Sequence, residues 1–371
     1  MNNLALFHGI AKNPNEYARE LKKTTGRKIV GYFCSYAPEE IILAAGAVPF
    51  RIFGRGDVSL ADAHLQAYSC SLVRGALEDA LSGGLDFLDG VVFPHTCDSI
   101  QRLSDIWRIN ANTGFHIDVV LPVKLDAKSS KEYMADVIKK FIRDIEKSLG
   151  VVISADDLKA SADKYNQIRA YLKKIFEIRS RNPAAIRSRD VHAIIKASMV
   201  MDRDVLLKEL ASFTKDLQQE GESRKAGGKR VVLAGGVCNL PDIYSLIEDS
   251  GGAVVWDDFC TGSRYFEGDI DLSGDILESI AGRYSDRIVC PAKHSGLFSR
   301  GEHVVKIAKE NNAKGVIFLF LKFCDPHSFD YPYMKEMLDK EGIPSMLFEI
   351  EEQLPSEGQF KTRCEAFLEM L

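Results

Sequence analysis

The stretch Lys28-Ile-Val-Gly-Tyr-Phe-Cys34, followed by Ser35-Tyr-Ala-Pro-Glu-Glu40, decides how the first third of the chain is read. A short apolar run bounded by polar residues reads as a strand buried on both faces. Pro38 and then Glu39 and Glu40 read as the opening of a helix. Proline is tolerated in a first turn, and carboxylates suit the positive end of the helix dipole. That helix ends before Gly46. The same strand-then-helix pattern recurs outward from it. A helix is expected over 71–82, a strand over 89–94 with a helix after Asp98, and a strand over 116–123. Alternation of this kind implies a parallel sheet covered by helices.

Between about 130 and 219 the pattern becomes long amphipathic stretches rich in Lys, Glu, Ala and Leu, which read as several helices. Residues 220–229 have linker composition. A second α/β pattern then begins, with strands expected at 230–236, 253–256, 287–290, 315–321 and 344–349. Helices are expected from Pro241 and over 301–312, 328–341 and 356–371. The expected architecture is α/β: two doubly wound, Rossmann- or flavodoxin-like parallel-sheet domains, 1–128 and 220–371, with a helical region at 129–219 between them.

The chain has 371 residues, 46% hydrophobic and 27% charged, which is ordinary for a globular protein of two domains. A net charge of −5 gives no electrostatic reason to expect nucleic acid or an anionic membrane as a partner. The basic residues Lys139, Lys140, Arg143 and Lys147 alternate with Asp136, Asp144 and Glu146, the composition of a solvated helix face. No apolar run is long enough to span a bilayer, and residues 1–10 are too short for a signal peptide, so a cytoplasmic protein is expected. Phosphate-loop, dinucleotide-fingerprint, zinc-protease and serine-nucleophile motifs are all missing from the sequence. If ATP drives the chemistry, another protein hydrolyses it.

Eight cysteines remain, and in a reducing compartment they are core residues, nucleophiles or metal ligands rather than disulfides. Ligand sites in open α/β sheets lie at the carboxyl ends of strands. Cys34, Cys97, Cys238, Cys290 and Cys324 all fall at or just beyond an expected strand end, and Cys70 lies in a turn before a helix. Singly, each is as well explained as a small buried hydrophobe. Together they suit a soft metal centre between two sheets, and their spacing is not that of a zinc ribbon. Cys260 lies in a polar loop, and Cys364 belongs to the core face of the last helix.

The motifs reached so far resemble those of the 2-hydroxyacyl-CoA dehydratase D-component family, which includes benzoyl-CoA reductase subunits and double-cubane cluster proteins. The similar segments are Gly31-Tyr-Phe-Cys-Ser-Tyr-Ala-Pro-Glu-Glu40 with Ala44-Ala-Gly-Ala-Val-Pro49, Tyr68-Ser-Cys70, His95-Thr-Cys-Asp98, Asp257-Asp-Phe-Cys-Thr-Gly-Ser-Arg264, and Lys322-Phe-Cys-Asp-Pro326 with Tyr331-Pro-Tyr333. The resemblance implies a 4Fe–4S cluster held by Cys70, Cys97 and Cys324, with one iron open to the substrate thioester. It implies an ATP-hydrolysing iron–sulfur activator that injects one electron, so that an unreactive β-proton becomes removable and the hydroxyl leaves. The partner would be a larger paralogous subunit or a second copy of this chain. The further cysteines Cys34, Cys238 and Cys290 go beyond the plain dehydratase pattern and resemble the double-cubane proteins, which carry an 8Fe–9S cluster. A homodimeric reductase is therefore a second expectation, and a non-catalytic electron-transfer subunit a third. Ser35, Glu39 and His95 are candidates for proton transfer, although Glu39 and Asp98 equally suit helix N-termini. Arg264 suits either a CoA phosphate or an ion pair with Asp257 or Asp258.

Overall fold

The computed structural model describes residues 3–54, 57–221, 227–287, 290–293, 295–351 and 357–371. Two all-parallel sheets of four strands organise the chain. The first contains β1 (Ile29–Tyr32), β2 (Val48–Arg51), β3 (Gly90–Pro94) and β4 (Phe115–Val119), in the order β2-β1-β3-β4. The second contains β5 (Lys229–Gly235), β6 (Gly252–Asp258), β7 (Gly315–Leu321) and β8 (Ser345–Ile350), in the order β6-β5-β7-β8. The two orders are the same, so each sheet reverses its winding between its first and third strands. That reversal opens a crevice at the carboxyl edge.

The strands read as unbroken apolar runs because both faces are covered. Ile29 and Phe33 enter one core and Val30 and Tyr32 the opposite one. Val231 and Leu233 are divided from Val232 and Ala234 in the same way. This is the period-two alternation of a strand with two buried sides.

Four helices, Lys128–Leu149, Ala155–Arg181, Ser188–Ser198 and Arg203–Gly221, occupy the middle of the chain. The longest is fixed at its start by a reciprocal capping box between Ser154 and Asp157. It ties the short helix Glu39–Ala44 down through buried charge. Glu39 accepts from Tyr165 Oη and Arg203 Nη2, both at 3.0 Å, and Glu40 accepts from Arg169. Burial works against the Glu40 carboxylate, but Arg169 and Arg283 outweigh it and hold its pKa at about 2. Such a pair fixes geometry more than it adds stability.

Several expectations change. β2 was not foreseen, because Pro49 argues against a central strand; the sheet puts it at an edge, where proline is tolerated. Helices Asn3–Lys12, Pro14–Thr25 and Ile276–Asp286 were not foreseen either. The third expected strand is shorter, ending at Val119. The strand expected at 287–290 falls on 288–289, which lie outside the described residues, as do 222–226 of the expected linker. The helix expected from 328 starts at Asp325, which moves Cys324 to its N-cap.

Candidate metal centre

Three cysteines occupy the same local position. Cys70 is the N-cap of helix Ser71–Leu81, Cys97 of helix Asp98–Asn110, and Cys324 of helix Asp325–Lys340. None of the three helices has a side-chain cap hydrogen bond. An N-terminus presents unpaired N–H groups and a partial positive charge, and a cysteine there is biased toward thiolate. The N–H groups of Leu72 and Val73 bear on Cys70, that of Ile100 on Cys97, and that of His327 on Cys324.

These three N-termini converge. Burial pushes the Cys97 thiol up to about 12, and the neighbouring Cys70, Cys34 and Cys290 add to that shift. Burial likewise raises the Cys324 thiol strongly, with Cys70, Cys97 and Cys290 contributing. Cys290 is pushed up to about 12 by burial, then by Cys260 and Cys34. Five thiols from both halves of the chain, Cys34, Cys70, Cys97, Cys290 and Cys324, are therefore linked in one chain of electrostatic neighbours, with Cys260 next to Cys290. All eight cysteines are free.

Among the described residues, no group of three or more His, Cys, Asp or Glu side chains stands close enough to hold a single metal ion. One tetrahedral ion with sulfur at about 2.3 Å needs its ligands almost in contact. A donor set of soft sulfurs, buried and aimed by helix dipoles, fits a polynuclear iron–sulfur group. The raised thiol pKa values belong to the bare protein; a metal cation among the sulfurs reverses that tendency.

Cys238 stands apart from this set. It is fully buried in the core of its own sheet, and its pKa is pushed up to about 11 by burial; the groups around it are Leu240, Tyr244, Asp257 and Lys196. Cys364 is fully buried with Phe367 and Leu368 in the last helix. Cys260, read from the sequence as a loop residue, accepts a contact from Arg264 Nη1 at 3.5 Å. Arg264 is not free to reach a ligand phosphate, because its Nε donates to Asp258 Oδ1 at 2.7 Å and its Nη2 to the Gly235 carbonyl.

The polar candidates divide. His95 Nε2 lies 3.0 Å from Asp118 Oδ1, and its carbonyl accepts from Lys293 Nζ at 3.0 Å. Ser35 is buried, and its carbonyl accepts from Arg287. Glu39 is committed to Tyr165, Arg203 and Tyr265. Neither Glu39 nor Asp98 is an N-cap: Pro38 and Cys97 hold those positions, and Asp98 is an exposed first-turn carboxylate paired with Arg102. Sequence reading missed Lys293. Lys293 sits in no recognisable motif. Tyr36 is buried with an unpartnered hydroxyl, and the thiols of Cys290 and Cys34 lie within its electrostatic reach.

Backbone geometry marks the same place. Cys34 and Phe323 have φ of 55° and 64°, the left-handed region that a side chain other than glycine's rarely adopts. One is a member of the thiol group and the other precedes Cys324. Strain of this kind is retained where surrounding structure enforces it, commonly at functional sites. Gly54 has φ of 72°, and a Cβ there would stand 2.6 Å from the Ala76 amide nitrogen. Its closeness lets the chain after β2 lie against helix Ser71–Leu81 and so sets the direction of the helix that Cys70 caps. Beside that helix start is a cavity of about 180 Å³ lined in part by Phe53, Ser71, Val237 and Leu321. It shares Phe53, Gly54 and Asn239 with a second cavity of about 470 Å³ that reaches Lys196.

Among known proteins, the family described as 2-hydroxyglutaryl-CoA dehydratase, D-component, matches residues 34–371. The chain is 28% identical over 366 residues to the (R)-phenyllactyl-CoA dehydratase beta subunit of Clostridium sporogenes, covering 98% of this chain and 97% of that one. It is 28% identical to the lactoyl-CoA dehydratase subunit beta of Anaerotignum propionicum, covering 99% and 98%. It is 29% identical to a benzoyl-CoA reductase subunit of Thauera aromatica, covering 90% and 89%.

Proposed function

The chain belongs to the 2-hydroxyglutaryl-CoA dehydratase D-component family, and from that premise we propose that it is the iron–sulfur component of a 2-hydroxyacyl-CoA dehydratase-like enzyme. The observation that carries this reading is the convergence of three cysteine-capped helix N-termini, Cys70, Cys97 and Cys324. They would hold a 4Fe–4S cluster, which supplies low-potential single electrons when bound. The chain's own contribution is to shield and orient that group. Burial of Cys70 keeps water away, and the N–H groups of the three helices face the sulfurs. Asp118 holds His95 in place two residues from Cys97. The cavity lined by Ser71 and Leu72, next in sequence to Cys70, gives room for part of a thioester substrate.

Two relatives are named as beta subunits, which supports a partner subunit for this chain as well. Exposed aromatics next to the thiols suit such a partner or an ATP-hydrolysing activator. Tyr68 is 62% exposed and Phe323 42%. Reduced thiols of this kind belong in the cytoplasm, and among the described residues no helix is long and apolar enough to cross a membrane.

A second reading has a specific observation in its favour. Cys34 and Cys290 lie within reach of Cys97, and Cys260 lies beside Cys290. Six thiols, with Cys260 rather than Cys238 as the sixth, match the number needed for an 8Fe–9S double cubane and a homodimeric reductase. Iron and acid-labile sulfide per chain, measured on anaerobically purified protein, test both readings. About four irons per chain support one cubane and about eight support two. Protein never exposed to oxygen that contains neither iron nor sulfide overturns both.

A further inference from the structure

Lys293 is 1% exposed, and the thiols of Cys34, Cys290 and Cys97 lie within its electrostatic reach. Nζ donates to the His95 carbonyl at 3.0 Å and the Leu121 carbonyl at 3.2 Å, just beyond β3 and β4. Its amide donates to the Cys290 carbonyl at 2.9 Å, closing a tight turn that ties its backbone to that cysteine. A buried ammonium normally faces a carboxylate. Here the ionisable groups bearing on Lys293 are the thiols of Cys34, Cys290 and Cys97.

Five other buried cations do face carboxylates, while the buried Arg287, like Lys293, donates to carbonyls, those of Ser35 and Arg264. Arg264 and Arg300 share Asp258, Arg169 and Arg283 share Glu40, and Arg203 has Glu39. Lys293 has two neutral carbonyls as hydrogen-bond partners and three thiols within electrostatic reach. Burial lowers its pKa, and the three thiols oppose that shift.

We propose that Lys293 is the counter-charge of the anionic group that the cysteines hold, and so sets how readily that group accepts an electron. The inference rests on the iron–sulfur reading above and deepens it. A fixed positive charge beside a cluster favours its reduced, more negative state, because net charge and hydrogen bonding at the sulfurs govern potential. Lys293 is a positioning residue by this account and touches no substrate. Its second consequence is mechanical: the residue follows Cys290 in sequence, yet its ammonium is bound to the strand ends of the first sheet, so charge and closure are fixed together.

The test uses full-length, anaerobically purified protein as wild type, Lys293→Arg, Lys293→Gln and Lys293→Met. Iron and sulfide are counted, and the midpoint potential is followed by electron paramagnetic resonance. Lys293→Gln keeps an N–H donor, one bond shorter, on the side of the two carbonyls and removes the charge. The expected result is a shift to more negative potential in Lys293→Gln and Lys293→Met, with Lys293→Arg close to wild type. An unchanged potential in an iron-loaded Lys293→Gln protein overturns the counter-charge and leaves the iron–sulfur reading standing. Should Lys293→Met fail to fold, Lys293→Gln decides alone. Wild-type protein without iron or sulfide overturns both, because the ammonium then has no anionic centre to balance.

Discussion

The two halves of the molecule share a strand order and place cysteines at matching points. One follows the first strand in each half (Cys34 after β1, Cys238 after β5). Another lies between the second and third strands (Cys70 and Cys260). A third lies three residues past the end of the third strand, as the N-cap of a helix that begins with aspartate (Cys97 after β3, Cys324 after β7). The halves then diverge. The first sends all three of its thiols to the shared centre. In the second, Cys324 joins them, Cys260 lies at the margin beside Arg264, and Cys238 turns into its own core. Equivalent topology thus fixes where a cysteine can be, while side-chain packing decides whether it faces the centre or the core.

The strongest way to break this contrast is to remove matched cysteines. Cys97→Ser and Cys324→Ser are each expected to lose bound iron by more than about tenfold, since one missing thiolate opens a second iron to solvent. Cys238→Ser is expected to bind iron as wild type does. Iron loss from Cys238→Ser, measured beside the other two, would end the asymmetry.

Cys34→Ser and Cys290→Ser sharpen the comparison at the next level. With a single cubane both proteins keep their iron and change only its spectrum. A fall to about half the wild-type iron assigns these residues to a second cubane instead.

Each half also carries a buried carboxylate between arginines, and these two can be set against each other. Asp258 serves Arg264 and Arg300, so Asp258→Asn leaves the buried Arg264 guanidinium short of a counter-charge, while Arg300 keeps Asp330. The expected loss is about 3–5 kcal/mol in urea unfolding. Glu40 is the counterpart in the first half. Its folded pKa is depressed from 4.5 to about 2, so its contribution is fully present above pH 4.5 and is lost as pH falls toward 2. Integrated over that shift it is worth about 3 kcal/mol. Wild-type stability should therefore decline over this window more steeply than that of Glu40→Gln, in unfolding curves taken at successive pH values.

What the sequence disclosed follows from what is local. Unbroken apolar runs announced β1, β3, β5 and β7, and those strands carry the site. β2 was hidden because Pro49 contradicts strand propensity, and only its edge position resolves the conflict. The motifs around Cys70, Cys97 and Cys324 were legible, but their shared role as N-caps depended on helix starts that shift by a few residues. Cys34 and Cys238 could not be told apart from sequence, since both end a strand and only tertiary packing separates them. Lys293 was invisible for the same reason: its partners are the carbonyls of His95 and Leu121, some two hundred residues away along the chain.

The distribution of the thiols along the chain also sets a timetable. Cys34, Cys70 and Cys97 leave the ribosome first, and Cys324 follows 227 residues after Cys97 (324 − 97). At about 5–20 residues per second, that gap lasts roughly 10–45 s. Throughout it the nascent first half displays Cys34, Cys70 and Cys97 without Cys324. Oxidants and stray metal ions have that long to reach them, and any machinery that delivers iron and sulfide must wait until the second sheet has folded.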